Sequence, residues 1–526
     1  VNLLDRMISA VAPDMALNRE MARIRLEQLR SIRASGYSHH GASRVKKSLA
    51  GWISTGGGAD EDVVGNLDLL RERSRDLWMG TPIATGAVKT ARTNIVGSGL
   101  RFKACLDAEA LGMADDVADL WERTAEREFS LWADSKDCDA ARQQDFYQLQ
   151  SLAILSRMLS GDVAVLLPIL PRVGQIYDLR VQLIEADRIC DPRSKGPADI
   201  QGGVEVDEYG APTAYYVAKY HPRGKKAGQN EWIRVDAYGR ETGRRNVIIP
   251  MEPERPGQRR GVPMLAPVME ALKNLGRYSE AELLAATISG MFTVFVKSSS
   301  SPEALALGAM LDGQEQVAPQ DDGSYELAPG AIVSLAQGED VQVANPIRPN
   351  TAFDGFVSSV CRQIGVALEI PYELLTKHFQ ASYSASRAAL LEAWKWFRAE
   401  RDWWASDFCQ PIYEEWLAEA VAKGRVQAPG FFDDPAIRAA YSGAEWTGPT
   451  PGQLDPLKEV LAAKQRVEEG FSTRTKETAE LNGGDWEAYH RQRIKEERLR
   501  REGGVMVDAG SDGGENVSLD DPREGS

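Results

Sequence analysis

The chain has 526 residues, 43% of them hydrophobic, which is too long for one hydrophobic core and calls for several structural units. Its 62 basic residues are outnumbered by 77 acidic ones, and the resulting formal charge of −15 argues against a surface built throughout to adhere to nucleic acid phosphates. The cysteines (Cys105, Cys138, Cys190, Cys361 and Cys409) lack paired metal or redox spacing, and no apolar run approaches the roughly 18 residues of a membrane span, so an intracellular protein with no membrane segment is expected.

In chain order, the first fifty residues are a locally basic arm carrying Arg19, Arg23, Arg25, Arg30, Arg33, Arg44, Lys46 and Lys47. A break at Gly56-Gly57-Gly58 precedes 66–94, which reads as one or two helices with Leu69, Leu70, Leu77 and Trp78 on the buried side. Ile95-Val-Gly-Ser-Gly99 then turns the chain into strand-like Leu100-Arg-Phe-Lys, and helical spacing returns over 114–132 and 146–159. A strand over 163–167 follows the Gly161-Asp162 turn, and beyond it the period changes to two. Leu179-Arg-Val-Gln-Leu-Ile-Glu, Gly203-Val-Glu-Val-Asp, Ala214-Tyr-Tyr-Val and Val247-Ile-Ile predict short strands, so about 95–250 is an α+β unit with a mostly antiparallel sheet.

Val262 to Met291 predicts a long helix, entered through the turn Arg255-Pro-Gly-Gln-Arg-Arg-Gly261. Phe292-Thr-Val-Phe-Val296, a helical 302–311 and Ala331-Ile-Val-Ser-Leu335 predict a small α/β knob. Phe353, Phe356, Val357, Val360 and Ile364 have the one-sided spacing of an amphipathic helix, which Pro371 ends. Tyr372 to Ser386 reads as a polar, kinked loop, and from Arg387 helical spacing resumes with Trp394, Trp396, Trp403, Trp404 and Trp416 on more than one face. Pro429, Pro435, Pro449, Pro451 and Pro456 mark loops, and 455–470 and 485–502 predict charged helices. The tail after Gly503 has six acidic residues against Arg523 alone and is expected to remain disordered.

The familiar catalytic constellations are missing. The sequence has no phosphate-binding Gly-x-x-x-x-Gly-Lys-Ser/Thr loop, no His-Glu-x-x-His and no Gly-x-Gly-x-x-Gly after a strand. Gly36-Tyr-Ser38-His-His-Gly41 differs from a nucleophile elbow because its second glycine is one residue late and no strand precedes it. His39 and His40 have no companion ligands, so neither a metal nor a cofactor is expected.

A series of short motifs resembles the lambda-type phage portal proteins: Leu70-Arg-x-Arg-Ser-Arg75-Asp, Asn94-Ile-Val-Gly-x-Gly99, Ile184-Glu-Ala-Asp187, Gly203-Val-Glu-x-Asp207-x-x-Gly210, Arg255-Pro-Gly-Gln-x-Arg-Gly261-Val-Pro and Tyr383-Ser-x-Ser-Arg387. The resemblance implies a helix-rich α+β portal fold that closes into a ring: an arm (1–50), a wing (51–260), a first stem helix (261–291), a clip (292–348), a second stem helix (349–368), a tunnel loop (369–388), a long Trp-rich wing helix (389–425), loops and a helical crown (426–502), and an acidic tail (503–526). It further implies a dodecamer at the capsid vertex of the virion, assembled in the host cytoplasm, that passes double-stranded DNA during packaging and ejection. The implied partners are the terminase large subunit, the major capsid and scaffold proteins, and head-tail connector proteins.

On that reading Lys377, His378 and Gln380, lying between two helices, are the candidates for the channel constriction, and Glu315, Asp321, Asp322, Glu326, Glu339 and Asp340 give the clip an acidic docking surface. No catalysis is expected. The competing readings are a capsid-maturation enzyme (protease or nuclease), which an ordered nucleophile and base or a carboxylate metal cluster would mark, and a structural capsid adaptor that does not pass DNA.

Overall fold

A computed structural model describes residues 21–22, 56–192, 200–291, 295–298, 339–342, 353–379, 382–453 and 455–503. The chain divides after Asp62 into two units. In the first, Glu61 accepts a hydrogen bond from the Gly58 N–H at 2.9 Å as helix α1 (Ala59–Val64) begins. All other elements belong to the second.

Helices α2 (Leu67–Gly80) and α3 (Pro82–Ile95) meet at Thr81, with Pro82 in the first helical turn, where an N–H is not needed. The buried face of α2 is the expected one in part: Leu77 is buried and Leu70 and Trp78 pack half-buried against the core, but the face is shifted. Leu67, Arg71, Ser74 and Leu77 are buried while Leu69 is 49% exposed, because this face serves a polar network that hydrophobicity does not reveal. Strand β1 (Arg101–Ala104) and the short α4 (Ala108–Leu111) lead to α5 (Asp115–Ala133) and α6 (Phe146–Ser160). Asp145 and Gln148 form a reciprocal capping box that starts α6 where the sequence places it.

The period-two region gives β2 (Ala164–Leu166), β3 (Gln182–Ile184), β4 (Ile200–Gln201), β5 (Val204–Val206), β6 (Pro212–Ala218), β7 (Trp232–Asp236) and β8 (Val247–Ile248). They form two antiparallel sheets, ordered β3-β2-β8 and β4-β5-β6-β7. Leu166 and Val235 pack against both small apolar clusters of this region, one around Ala164, Ile184 and Val217, the other around Val204, Tyr215 and Val247.

Helix α7 (Met269–Met291) begins seven residues later than the sequence suggests, after a tight turn over Ala266–Val268. Pro263 and Pro267 account for the delay, since proline lacks the N–H and clashes with the preceding turn of an α-helix. Strands β9 (Phe295–Ser298) and β10 (Glu339–Gln342) pair antiparallel. The helix expected over 302–311 and the strand over 331–335 lie outside the described residues. In α8 (Phe353–Ala367), Phe353 and Phe356 lie against Tyr278 of α7 with ring centroids 5.6 and 4.9 Å apart. Near the start of α7, Pro263 and Pro267 share a cavity with Ala367 and Leu368, so the two helices run antiparallel.

Pro371 ends one helix and caps another. Tyr372–Thr376 forms α9, and α10 (Tyr383–Trp404) starts four residues before Arg387, so the expected long loop is reduced to a few residues between two helices. A π-helical stretch, Ala405–Cys409, joins α10 to α11 (Gln410–Ala422). The chain closes with α12 (Pro435–Tyr441), β11 (Ala444–Thr447), α13 (Pro456–Glu468), α14 (Arg474–Asn482) and α15 (Trp486–Glu502). The proline-rich stretch therefore holds a helix and a strand that the sequence does not announce. Strand β11 pairs with β1, more than 300 residues earlier, and four residues are too few for their period to register.

The main core is aromatic. Phe129 contacts Phe102, Trp132, Phe146, Tyr413, Trp416 and Trp446 with centroids 4.6 to 6.1 Å apart. Trp404 and Trp416 are fully buried and Trp394 nearly so, whereas Trp403 is 43% exposed. Most of the tryptophans are thus packing residues, worth their large buried area.

Candidate functional site

The segment that presents Lys377 is built from a tight helix stop and a tight helix start. At the end of α8 the Ile370 N–H donates to the Gly365 carbonyl at 2.9 Å, and a Cβ on Gly365 would lie 2.5 Å from the Ile370 carbonyl oxygen, so a larger residue there would have to open the turn. Tyr372 is held from α8: its hydroxyl lies 3.1 Å from the Ser358 hydroxyl, and the Arg362 guanidinium stands 5.4 Å over its ring. Leu368, Ile370 and Leu375 are 3%, 1% and 4% exposed, which roots α9 in the core.

Lys377 takes a left-handed conformation, φ 55°, as α9 ends, and both Lys377 and His378 donate their backbone N–H to the Glu373 carbonyl. Lys377, His378 and Phe379 are exposed. A half-buried helical turn, pegged by Leu375, thus lifts a short cationic and aromatic tip into solvent between two long helices. Phe379, 54% exposed, joins the tip; the sequence marks it as an apolar residue beside Lys377 and His378 in a polar run, though not as a candidate for the constriction. Gln380 lies outside the described residues. Of the acidic set, Glu339 and Asp340 sit in β10 opposite Ser298 and Lys297, while Glu315, Asp321, Asp322 and Glu326 lie outside the described residues.

The resemblance motifs converge elsewhere, on a buried ion cluster. Asp162 accepts from Arg260 Nε at 2.7 Å and Nη2 at 2.8 Å, from the Gly261 N–H at 3.0 Å and from Arg71 Nη2 at 3.1 Å. Arg260 also donates to the carbonyls of Ile189, Gly202 and Ala186, and Arg71 Nε donates to that of Ser160 at 2.8 Å. Arg75 adds the Asp187 carboxylate and the Ser160 hydroxyl. Burial pushes the Asp162 carboxyl up, but Arg260 and Arg71 outweigh it and hold the group below the usual carboxylate value. Gly261 belongs to this design, since a Cβ there would lie 2.0 Å from the Gly161 carbonyl oxygen.

Two further motifs, over 94–99 and 203–210, are also structural. Gly99, φ 110°, leaves room for Tyr147, and Arg401 donates to the carbonyls of Asn94 and Ile95 at 2.9 and 3.0 Å. Asp207 accepts from the N–H groups of Tyr209 and Ala211 and shapes the turn between β5 and β6. Among the described residues one trio, Glu185, Asp187 and His221, brings ligand atoms within 4.8 Å of one another. Arg75 already lies against both carboxylates and supplies the positive charge there.

Comparison with known proteins bears on what this arrangement is for. The family model for the phage portal protein, lambda family, matches residues 46–401. Portal protein B of Escherichia phage lambda is 26% identical over 497 residues, covering 91% of this chain and 92% of that protein. The portal protein of Escherichia phage N15 is 26% identical over 495 residues, with 90% and 92% covered, and a probable portal protein of Halomonas phage phiHAP-1 is 24% identical over 439 residues, with 81% and 79% covered. Among solved structures, the neck of a native gene transfer agent particle computed with C12 symmetry is similar at TM-score 0.41 and 14% identity, over 79% of this chain and 93% of that one.

Proposed function

The chain belongs to the lambda family of phage portal proteins, and from that premise we propose that it closes into a ring, a dodecamer, through which double-stranded DNA passes during packaging and ejection. The observation that carries this reading is the exposed tip Lys377–Phe379, seated on a half-buried one-turn helix whose Leu375 is in the core, between the long helices α8 and α10. Repeated around an axis, such tips narrow a channel. The antiparallel pair α7 and α8 serves as the stem, the segment containing β9 and β10 as the clip, and α13 to α15 as the crown.

Twelve copies at −15 each would carry about −180, against a duplex with one negative charge per roughly 1.7 Å of axis. Acidic walls let a polyanion slide without a deep binding well, while Lys377 and His378, with Gln380, hold it transiently at the constriction. The acidic residues of the clip, Glu315, Asp321, Asp322, Glu326, Glu339 and Asp340, give the terminase large subunit and then the connector proteins a charged docking surface. The energy for translocation comes from that motor, and no catalytic step is assigned to this chain.

Electron micrographs of the purified protein test the reading. Annular particles with an axial hole wide enough for duplex DNA are expected, and a monomer or a closed, unperforated assembly would overturn it. Lys377→Ala rings are expected to form normally yet retain less packaged DNA than wild type.

A further inference from the structure

In this strongly acidic chain, helix α15 turns a face of the opposite character to solvent. Helix α15 buries none of its residues, and with the start of α14 it borders a groove of about 730 Å³. Arg474, Arg493, Arg498 and Arg501 line that groove, together with His490 and Trp486, whose rings stack at 4.9 Å. Glu497 also lines the groove but is paired with Arg500 at 3.3 Å, and outside the groove Arg491 pairs with Glu487 at 3.7 Å. Arg498 reaches Glu502 at 3.9 Å, but Arg474, Arg493 and Arg501 have no ion-pair partner among the described residues. These guanidiniums outnumber the one carboxylate that lines the groove, Glu497, so their mutual repulsion is unfavourable for the free protein, and an anion laid along the groove relieves it.

Resting on the portal reading above, we propose that this face is a second DNA contact, one that binds the phosphate backbone of duplex DNA. Arg493 and Arg501 are two turns apart on one side of the helix, roughly 12 Å along its axis. Phosphates of one DNA strand advance about 3.4 Å per step, so the two guanidiniums bracket a few successive phosphates, with Arg498 and the Arg500-paired Glu497 between them along the axis and Arg474 alongside. The chain's global charge repels DNA, and this face holds it locally, which suits a contact that positions a duplex without clamping it. Guanidinium–phosphate pairing carries no base information, so the contact is indifferent to sequence.

The test measures binding of the full-length protein to a short fluorescent duplex by anisotropy across a salt series. A triple variant with Arg474→Gln, Arg493→Gln and Arg501→Gln, all exposed positions, is compared with wild type after circular dichroism has established equal helicity. The expected result is weaker binding and a log affinity against log salt slope shallower by about two to three, near 0.9 for each phosphate that is no longer neutralised. Equal affinity and slope for the two proteins would overturn the proposal. So would arginine-dependent binding of a peptide of residues 504–526 in place of duplex, which would assign the face to the acidic segment that follows it. Ring formation by the triple variant is scored separately in micrographs, so failure of this contact is told apart from failure of the portal reading.

Discussion

Asp162 illustrates how a single residue anchors this fold. Its carboxylate is fully buried between Arg260 and Arg71, so removing its charge leaves two guanidiniums in the interior without an anion. Asp162→Asn is therefore expected to cost about 3–5 kcal/mol, read as a lowered urea midpoint or melting temperature. The pH dependence follows from the direction of its shift. With the folded pKa depressed, the carboxylate's contribution is complete above the unfolded value, about 3.9, and is lost as pH falls through the folded value. The stability gap between wild type and Asp162→Asn should thus narrow on acidification below about pH 4, and a gap that stays constant would show that the charge is not what matters. The motifs containing Arg71 and Arg260 stand out in the sequence, but their meeting at one carboxylate does not. Asp162 and Arg260 are separated by 98 residues, and no local pattern encodes that contact.

At the scale of an element, α9 decides how the candidate constriction is presented. Tyr372-Glu-Leu-Leu-Thr is one helical turn, too short for an apolar stripe to declare itself, and Pro371 reads from sequence only as the end of α8. The proline also permits a new helix, because the first turn has no use for its missing N–H. Leu375 is the peg that seats this turn. Leu375→Ala is expected to cost about 2–5 kcal/mol and to speed hydrogen exchange at the Lys377 and His378 amides, which donate to Glu373, while the amides of α3 stay protected. Unchanged exchange at His378 would mean that Leu375 does not hold the tip. The Trp-rich run is legible as a helix with several buried faces. Its π-helical stretch at Ala405–Cys409, where Trp404 stacks on Phe408 at 4.7 Å, is not, since the choice between helical types depends on what packs around the turn.

At the scale of the whole molecule, charge is distributed unevenly and to different ends. The proposed clip is acidic, so its association with a basic motor surface should weaken as salt rises, measurably in a sedimentation or pull-down series, and Glu339→Gln with Asp340→Asn should flatten that dependence. Salt-independent association would remove electrostatics from docking. By itself the amino-acid sequence determined the helix-rich α+β class, the antiparallel strands of the 160–250 region, the amphipathic α8 and the order of motifs that marks the family. Those are properties of local period and of residues in succession. Tertiary structure alone decided that the motif arginines close on Asp162, that β11 completes β1 across the length of the chain, and that Lys377 stands exposed on a turn pegged into the core by Leu375. Each of these depends on which distant segments come to share a core, and packing between segments leaves no trace in the period of either one.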